Sequence, residues 1–319
     1  MGAWKAVAAA AVMLLGPWAM SEDEGGGDQR AAAAAQRAPG AGSERTLAPA
    51  TSVAARREAV IPGPCDLAEL TASPSRPNWT GGAATTQCGN LETDYGWLWQ
   101  GMGGGVRQTA APVSMRYGLT AKMDMRWGLP SHMAQSGGGS RTQKGVSDQW
   151  LSTQYRFMEQ GARMPALAAS YGLKIPSANP AKGFGTGFVD HQIELIASRD
   201  VRWAHFDFNA VETLAGRSEG YAGAMQYGLA LSAAAGKKLT WIVESDGGPQ
   251  AGMTGSFGQA LGGAQWSLRR WLVVDAAYTR AYTAGSPREQ FTVGWTWSSR
   301  PSLVTAGRAQ AMRMLKRGG

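Results

Sequence analysis

From residue 91 onward, apolar and polar side chains alternate with a period of two, and glycine-rich or charged turns break the alternation at intervals. The last such stretch reads Leu272, Val274, Ala276 and Tyr278, then Phe291, Val293, Trp295 and Trp297. Between them lie Asp275, Ala277, Thr279, Gln290, Thr292, Gly294 and Thr296. Successive side chains of a strand point to opposite faces, so both arms of this hairpin carry one apolar face and one small or polar face. In a soluble sandwich the polar face would meet bulk water. In a membrane barrel it lines a lumen, and the aromatic-edged apolar face meets lipid.

The repeat of the pattern favours the barrel. Leu91, Thr93, Tyr95, Trp97 and Trp99 alternate with Glu92, Asp94, Gly96 and Gln100, and comparable alternation returns at 108–117, 123–129, 151–157, 167–175, 189–195, 206–209, 225–231, 239–246 and, more weakly, 256–268. With the closing hairpin this predicts about 12 strands of about ten residues, the length a tilted strand needs to cross a bilayer. The intervening segments alternate in length. Those at 118–122, 159–163, 200–204, 232–238 and 269–270 are short, whereas 130–146, 176–187 and 247–255 are long. Short turns on one side and long loops on the other are the asymmetry of outer-membrane barrels. The expected fold is therefore all-β, a transmembrane antiparallel up-and-down β-barrel over residues 90–298. An even strand count would put both termini in the periplasm of a bacterium.

Composition narrows the alternatives. The chain of 319 residues holds 44 Gly and 13 Trp, with only 17% charged residues, which suits short strands with aromatic ends. Mean hydropathy is -0.25, and beyond the N-terminus no apolar run is long enough for a membrane-spanning helix. The net charge of +8 is concentrated in the tail, at Arg300, Arg308, Arg313, Lys316 and Arg317. The strand region lacks the basic stripe that a phosphate backbone requires, so no nucleic-acid partner is expected. The tail, residues 299–319, reads as a solvated periplasmic extension, with anionic headgroup contact as the alternative.

Ahead of the strands, Lys5, the apolar run 6–15, Gly16-Pro17 and the small Ala19 and Ser21 have the three parts of a secretory signal over residues 1–21. Residues 22–64 are rich in Ala, Gly, Pro, Glu and Arg and are expected to be disordered. Cys65 and Cys88 bracket a Pro/Ser/Thr/Gly segment and, in an exported protein, are expected to form a disulfide that closes an entry loop, residues 65–89. This loop is expected to pack against one barrel end or its lumen. Two cysteines with no nearby histidine make no zinc site, and no metal or cofactor is expected.

Several motifs resemble a known family. They are Thr71-Ala72-Ser73-Pro74-Ser75-Arg76-Pro77-Asn78-Trp79, Arg116-Tyr117-Gly118-Leu119-Thr120, Asp148-Gln149-Trp150, Tyr171-Gly172-Leu173-Lys174-Ile175-Pro176 and Val189-Asp190. Over approximately residues 65–298 the chain resembles the bacterial outer-membrane transporter-like proteins grouped under the meta-pathway of phenol degradation. The resemblance implies a barrel that moves small, often hydrophobic compounds. The chain departs from the usual barrel pattern in the tail after Trp297, since a terminal aromatic is what the barrel assembly machinery reads.

The candidate site is the lumen. Arg116, Arg126, Arg156, Lys174, Asp190, Glu194, Glu244 and Asp275 all fall on inward positions, as do Glu92, Asp94, Asp124 and Asp246. Such mixed charge forms either a shape-holding polar network or a constriction for a solute. Lys174 and Glu194, on consecutive strands, are the preferred pair. His191 faces lipid with no serine or asparagine convincingly beside it, which leaves a barrel hydrolase as the weakest reading and an enzyme unexpected. Ser136-Gly137-Gly138-Gly139-Ser140 lacks the lysine of a phosphate loop and reads as an external loop. The expected function is a passive channel or transporter for small molecules, hydrophobic or aromatic ones among them, in a monomer surrounded by outer-membrane lipid. The alternative is a structural or surface-interaction barrel that conducts nothing because residues 65–89 plug it.

Overall fold

The computed structural model of the protein describes residues 65, 69–252 and 255–301. The expected secretory signal, the low-complexity segment and all but the first residues of the basic tail lie outside them. The strands are β1 (Leu91–Gly101), β2 (Arg107–Gly118), β3 (Met123–Gly137), β4 (Ser140–Val146), β5 (Gln149–Met158), β6 (Ala166–Ile175) and β7 (Asp190–Val201). They continue as β8 (Ala204–Arg217), β9 (Gly220–Ala235), β10 (Leu239–Pro249), β11 (Ser256–Arg269), β12 (Leu272–Ala281) and β13 (Glu289–Ser299). Apart from β4 and β5, sequence neighbours pair antiparallel, and β1 pairs with β13 from Leu91↔Ser299 to Gly101↔Glu289, which closes the sheet on itself. β4 and β5 pair with the far and near halves of β3, so together they form one stave and the wall has 12.

Closure answers a physical demand. A backbone group facing hydrocarbon has no water to bond, and a closed sheet leaves no open edge. The seam has extra help on its outer face, where Tyr95 stacks on Trp295 at 4.6 Å between ring centroids and Trp97 meets Phe291 edge-on at 6.4 Å. Such aromatic pairs contribute about 0.5–1.5 kcal/mol each beyond their buried area.

The exposure pattern is inside out. Outward-pointing Trp127, Leu195, Trp241, Val243, Trp266 and Trp295 are 44–57% exposed, whereas inward-pointing Glu92, Asp124, Asn209 and Thr296 are 0% exposed. A soluble domain would place these two sets the other way round, so the outer surface is a lipid-facing band.

The expected strand set is present, but the long loops are shorter than the apolar alternation suggested. The segment 130–146 is mostly strand: β3 runs on to Gly137, and β4 returns after a turn in which Gly137, Gly138 and Gly139 have φ of 99°, 65° and 79°. β8 and β9 likewise extend to a turn at Ser218-Glu219, and β10 reaches Pro249. Beyond the lipid, backbone pairing continues without any need for apolar side chains, so the period-two signal stops before the strand does. The segment 176–189 remains irregular apart from a 3₁₀ turn at Pro180–Lys182.

Replacing Val243, on the outer face, by Arg is expected to destabilise the protein folded in lipid by about 2–4 kcal/mol. Urea titration of the heat-modifiable gel band in phospholipid vesicles measures this, and an unchanged midpoint would contradict a lipid-facing position.

Candidate functional site

Residues 69–90 run through the lumen. Their composition explains why they form no strand: Pro74 and Pro77 lack amide donors, and Ser, Thr, Gly and Ala dominate the rest. The segment enters at the mouth that carries the short turns, where the Ala72 amide donates to the Arg270 carbonyl (2.8 Å) and Glu69 pairs with the Arg270 guanidinium. It rises to Arg76, crosses to the wall of β7 to β10, descends past β5 and β3, and leads into β1. The expected disulfide joins Cys65 to Cys88, with 5.3 Å between their Cα atoms, so the two legs of this loop are tied together.

An irregular segment inside a barrel has amides that no ladder satisfies, and here the wall answers them with side chains. The Ser73 amide donates to Glu92 (2.7 Å), those of Trp79 and Thr80 to Glu244 (3.0 and 3.3 Å), and that of Thr86 to Asp124 (2.8 Å). The Ala83 amide donates to Ser198 Oγ (2.7 Å), which donates to Asp207 (2.5 Å). Carbonyls are met as well: Arg116 donates to Ser73 O (2.6 Å), Gln154 to Gly82 O and Ala84 O (3.1 and 3.3 Å), and Gln265 to Arg76 O. Asp94 accepts from Ser75 Oγ at 3.0 Å.

Arg76 is the only base this luminal segment brings, and it sits centrally. Its guanidinium donates to Thr292 Oγ1 (2.5 Å) and lies 3.4 Å from Asp275. A Cβ at Gly96 or Gly294 would collide with that guanidinium, and a Cβ at Gly228 would collide with Thr80 and the Trp79 ring. Inward glycines therefore mark the path of the segment. Apolar contact is sparse, with Ala83 against Ala168 and Ile196, and Trp79 edge-on to Phe257 at 6.4 Å. Hydrogen bonds, contributing about 1 kcal/mol each and about 1.5–3 kcal/mol where one partner is charged, outweigh this small apolar term.

Above Arg76 and Asp94 lies a cavity of about 540 Å³ walled by Val113, Leu129 and Trp150 and bounded on the far side by Phe184 and Thr186 of the segment 176–189. That segment folds inward because Asp148, at the break between β4 and β5, accepts the Ser177 and Ala178 amides, both at 2.9 Å. Lys174 Nζ binds Asp190 (2.5 Å), Asp148 (3.7 Å) and Thr186 Oγ1 (2.7 Å).

The inward residues therefore divide into groups. Arg116, Glu244 and Asp275 hold the luminal segment, Arg116 while also pairing with Glu92 (2.8 Å) and Asp94 (3.3 Å). Lys174 and Asp190 serve the far cavity. Arg126 pairs with Asp124 on its own strand (2.9 Å), and Arg156 sits at the mouth, paired with Glu159 (3.1 Å). The expected Lys174–Glu194 pair does not form. The β6–β7 register sets Lys174 opposite Asp190 and Ser170 opposite Glu194, an offset of four residues or about 14 Å along the strand. Glu194 accepts instead from Asn209. Arg76, Asp148 and Ser198 were absent from the expected set; Arg76 lay in a segment with no strand pattern and Asp148 in a break between strands. On the outer face, both His191 ring nitrogens are engaged by tyrosine hydroxyls, Tyr171 at 2.7 Å and Tyr221 at 3.1 Å.

No protein-family model matches the chain, and no curated protein does. Solved structures do. The NanC porin aligns at 8% identity over 65% of this chain and 98% of its own, with a TM-score of 0.45. The KdgM porin, in complex with disordered oligogalacturonate, aligns at 9% identity over 65% and 98%, with a TM-score of 0.42. The translocator domain of the autotransporter NalP from Neisseria meningitidis aligns at 15% over 65% and 86%, with a TM-score of 0.38.

Substituting Gly228 by Val should unseat the crossing at residues 79–80 while leaving the barrel closed. A Thr80→Cys reporter is expected to resist a membrane-impermeant maleimide in the otherwise unchanged protein and to react readily in the Gly228→Val background, with heat-modifiability retained in both. Equal labelling would show that the segment does not pack on Gly228.

Proposed function

We propose that the protein is a bacterial outer-membrane channel for passive passage of small molecules, gated by its luminal segment, with both termini on the periplasmic side. One observation supports this above the rest: the seat of the segment is polar. An apolar plug would lose its buried area on leaving, whereas hydrogen bonds to wall side chains exchange for bonds to water at a net cost of about 1 kcal/mol each, or about 1.5–3 kcal/mol where one partner is charged. Release leaves a polar lumen beneath the 540 Å³ cavity. The apolar flank of that cavity, with Trp150 and Leu129, and the resemblance to the phenol meta-pathway family support hydrophobic or aromatic compounds among the solutes. The inward Lys174–Asp148 anchor supports a role for the segment 176–189 as a constriction on the far side.

A second reading, a barrel that conducts nothing, is favoured by the number of staves the luminal segment engages. Planar-bilayer recording separates the two. The full-length protein is expected to show brief openings, and Arg76→Ala, which leaves Asp275 without its base, to raise the open fraction by about tenfold or more, the equivalent of at least about 1.4 kcal/mol. Absence of current from both folded proteins would establish the non-conducting reading.

A further inference from the structure

The charges that hold the luminal segment also dictate what passes once it leaves. Four bases of the lumen wall already have a carboxylate: Arg116 with Glu92 and Asp94, Arg126 with Asp124, Arg156 with Glu159, and Lys174 with Asp190 and Asp148. Glu194, Glu244, Asp246 and Asp275 have no base of the wall within ion-pair distance among the described residues. Glu194 is met by Asn209 and Asp246 by Gln259 (3.1 Å), both neutral. Glu244 is met by two amides of the luminal segment, and Asp275 by Arg76 of the same segment. A second observation bears on these groups independently. Asp275 Oδ2 has no hydrogen-bond partner, although the residue is only 6% exposed. The wall thus holds acceptor capacity beyond what the segment uses.

We infer that the open lumen is cation-selective and that the solutes it favours are small molecules or ions bearing a compact positive charge. Withdrawal of residues 69–90 removes Arg76 from Asp275 and both amide donors from Glu244, which leaves both carboxylates facing water with no partner from the segment. The four carboxylates without a wall base lie on β7, β10 and β12 rather than on one strand. A lumen so lined, with low-dielectric lipid behind it, concentrates cations and repels anions. Aromatic solutes carrying an ammonium group would satisfy both the carboxylates and the apolar flank near Trp150, whereas carboxylate- or phenolate-bearing ones would be disfavoured.

This inference rests on the channel reading, and one experiment separates their failures. Reversal potentials are recorded in a tenfold KCl gradient for the full-length protein, for Arg76→Ala, and for Arg76→Ala combined with Glu194→Gln, Glu244→Gln, Asp246→Asn and Asp275→Asn, with heat-modifiability checked for each. Potassium is expected to be preferred over chloride by at least about fivefold in the first two and by much less in the combined variant. If the combined variant does not fold, pairs of these substitutions in the same background are expected to lower the preference in steps. Current without cation preference, or a preference that the substitutions leave unchanged, would overturn the inference and leave the channel standing. Absence of current in every folded variant would overturn both.

Discussion

A main-chain amide removed from water must find another partner or cost several kcal/mol. This one constraint operates twice in the protein, in two solvents. Facing lipid, it forces the sheet to close, with β1 meeting β13 along their full length. Within the closed wall it acts again, on a segment too rich in proline and small residues to join a ladder, and there the acceptors are Glu92, Asp124, Glu244 and Ser198. The polar face of each strand is thus more than a lumen lining. It is a complement to a particular irregular backbone.

This explains why an acidic interior coexists with a protein of strongly basic total charge. Carboxylates accept and never donate while ionised, so a wall that must meet amide donors is drawn toward Asp and Glu. Arginine appears inside chiefly where carbonyls or carboxylates need a donor, as Arg116 shows in bonding Ser73 O between Glu92 and Asp94. The glycines at 96, 228 and 294 belong to the same complement, since each clears space for a side chain of the traversing segment.

The barrel was legible in the sequence because alternation in contact with lipid is enforced at every second residue, from Leu91 to Trp297. It failed where lipid ends: the far parts of β3, β4, β8 and β9 continue by backbone pairing and carry no sustained apolar alternation. Luminal positions were also legible from parity, but partners were not. Parity places Lys174 and Glu194 on the same face, and only the hairpin register shows that Asp190 intervenes. The role of the inward carboxylates was hidden for a different reason. Their partners are amides, which every residue has, so nothing in the composition of residues 69–90 announces which wall groups they meet.

The bond between Cys65 and Cys88 adds a mechanical consequence. Both legs of the luminal segment pass through one mouth, and the bond ties them there across a sequence separation of 23. The segment is therefore a closed loop inserted from one side, with no strand end to thread through the barrel and no passage out at the opposite end. Any force that withdraws it must act from the side of the short turns, and after withdrawal the loop stays leashed to β1, close enough to find its seat again without a search through solution.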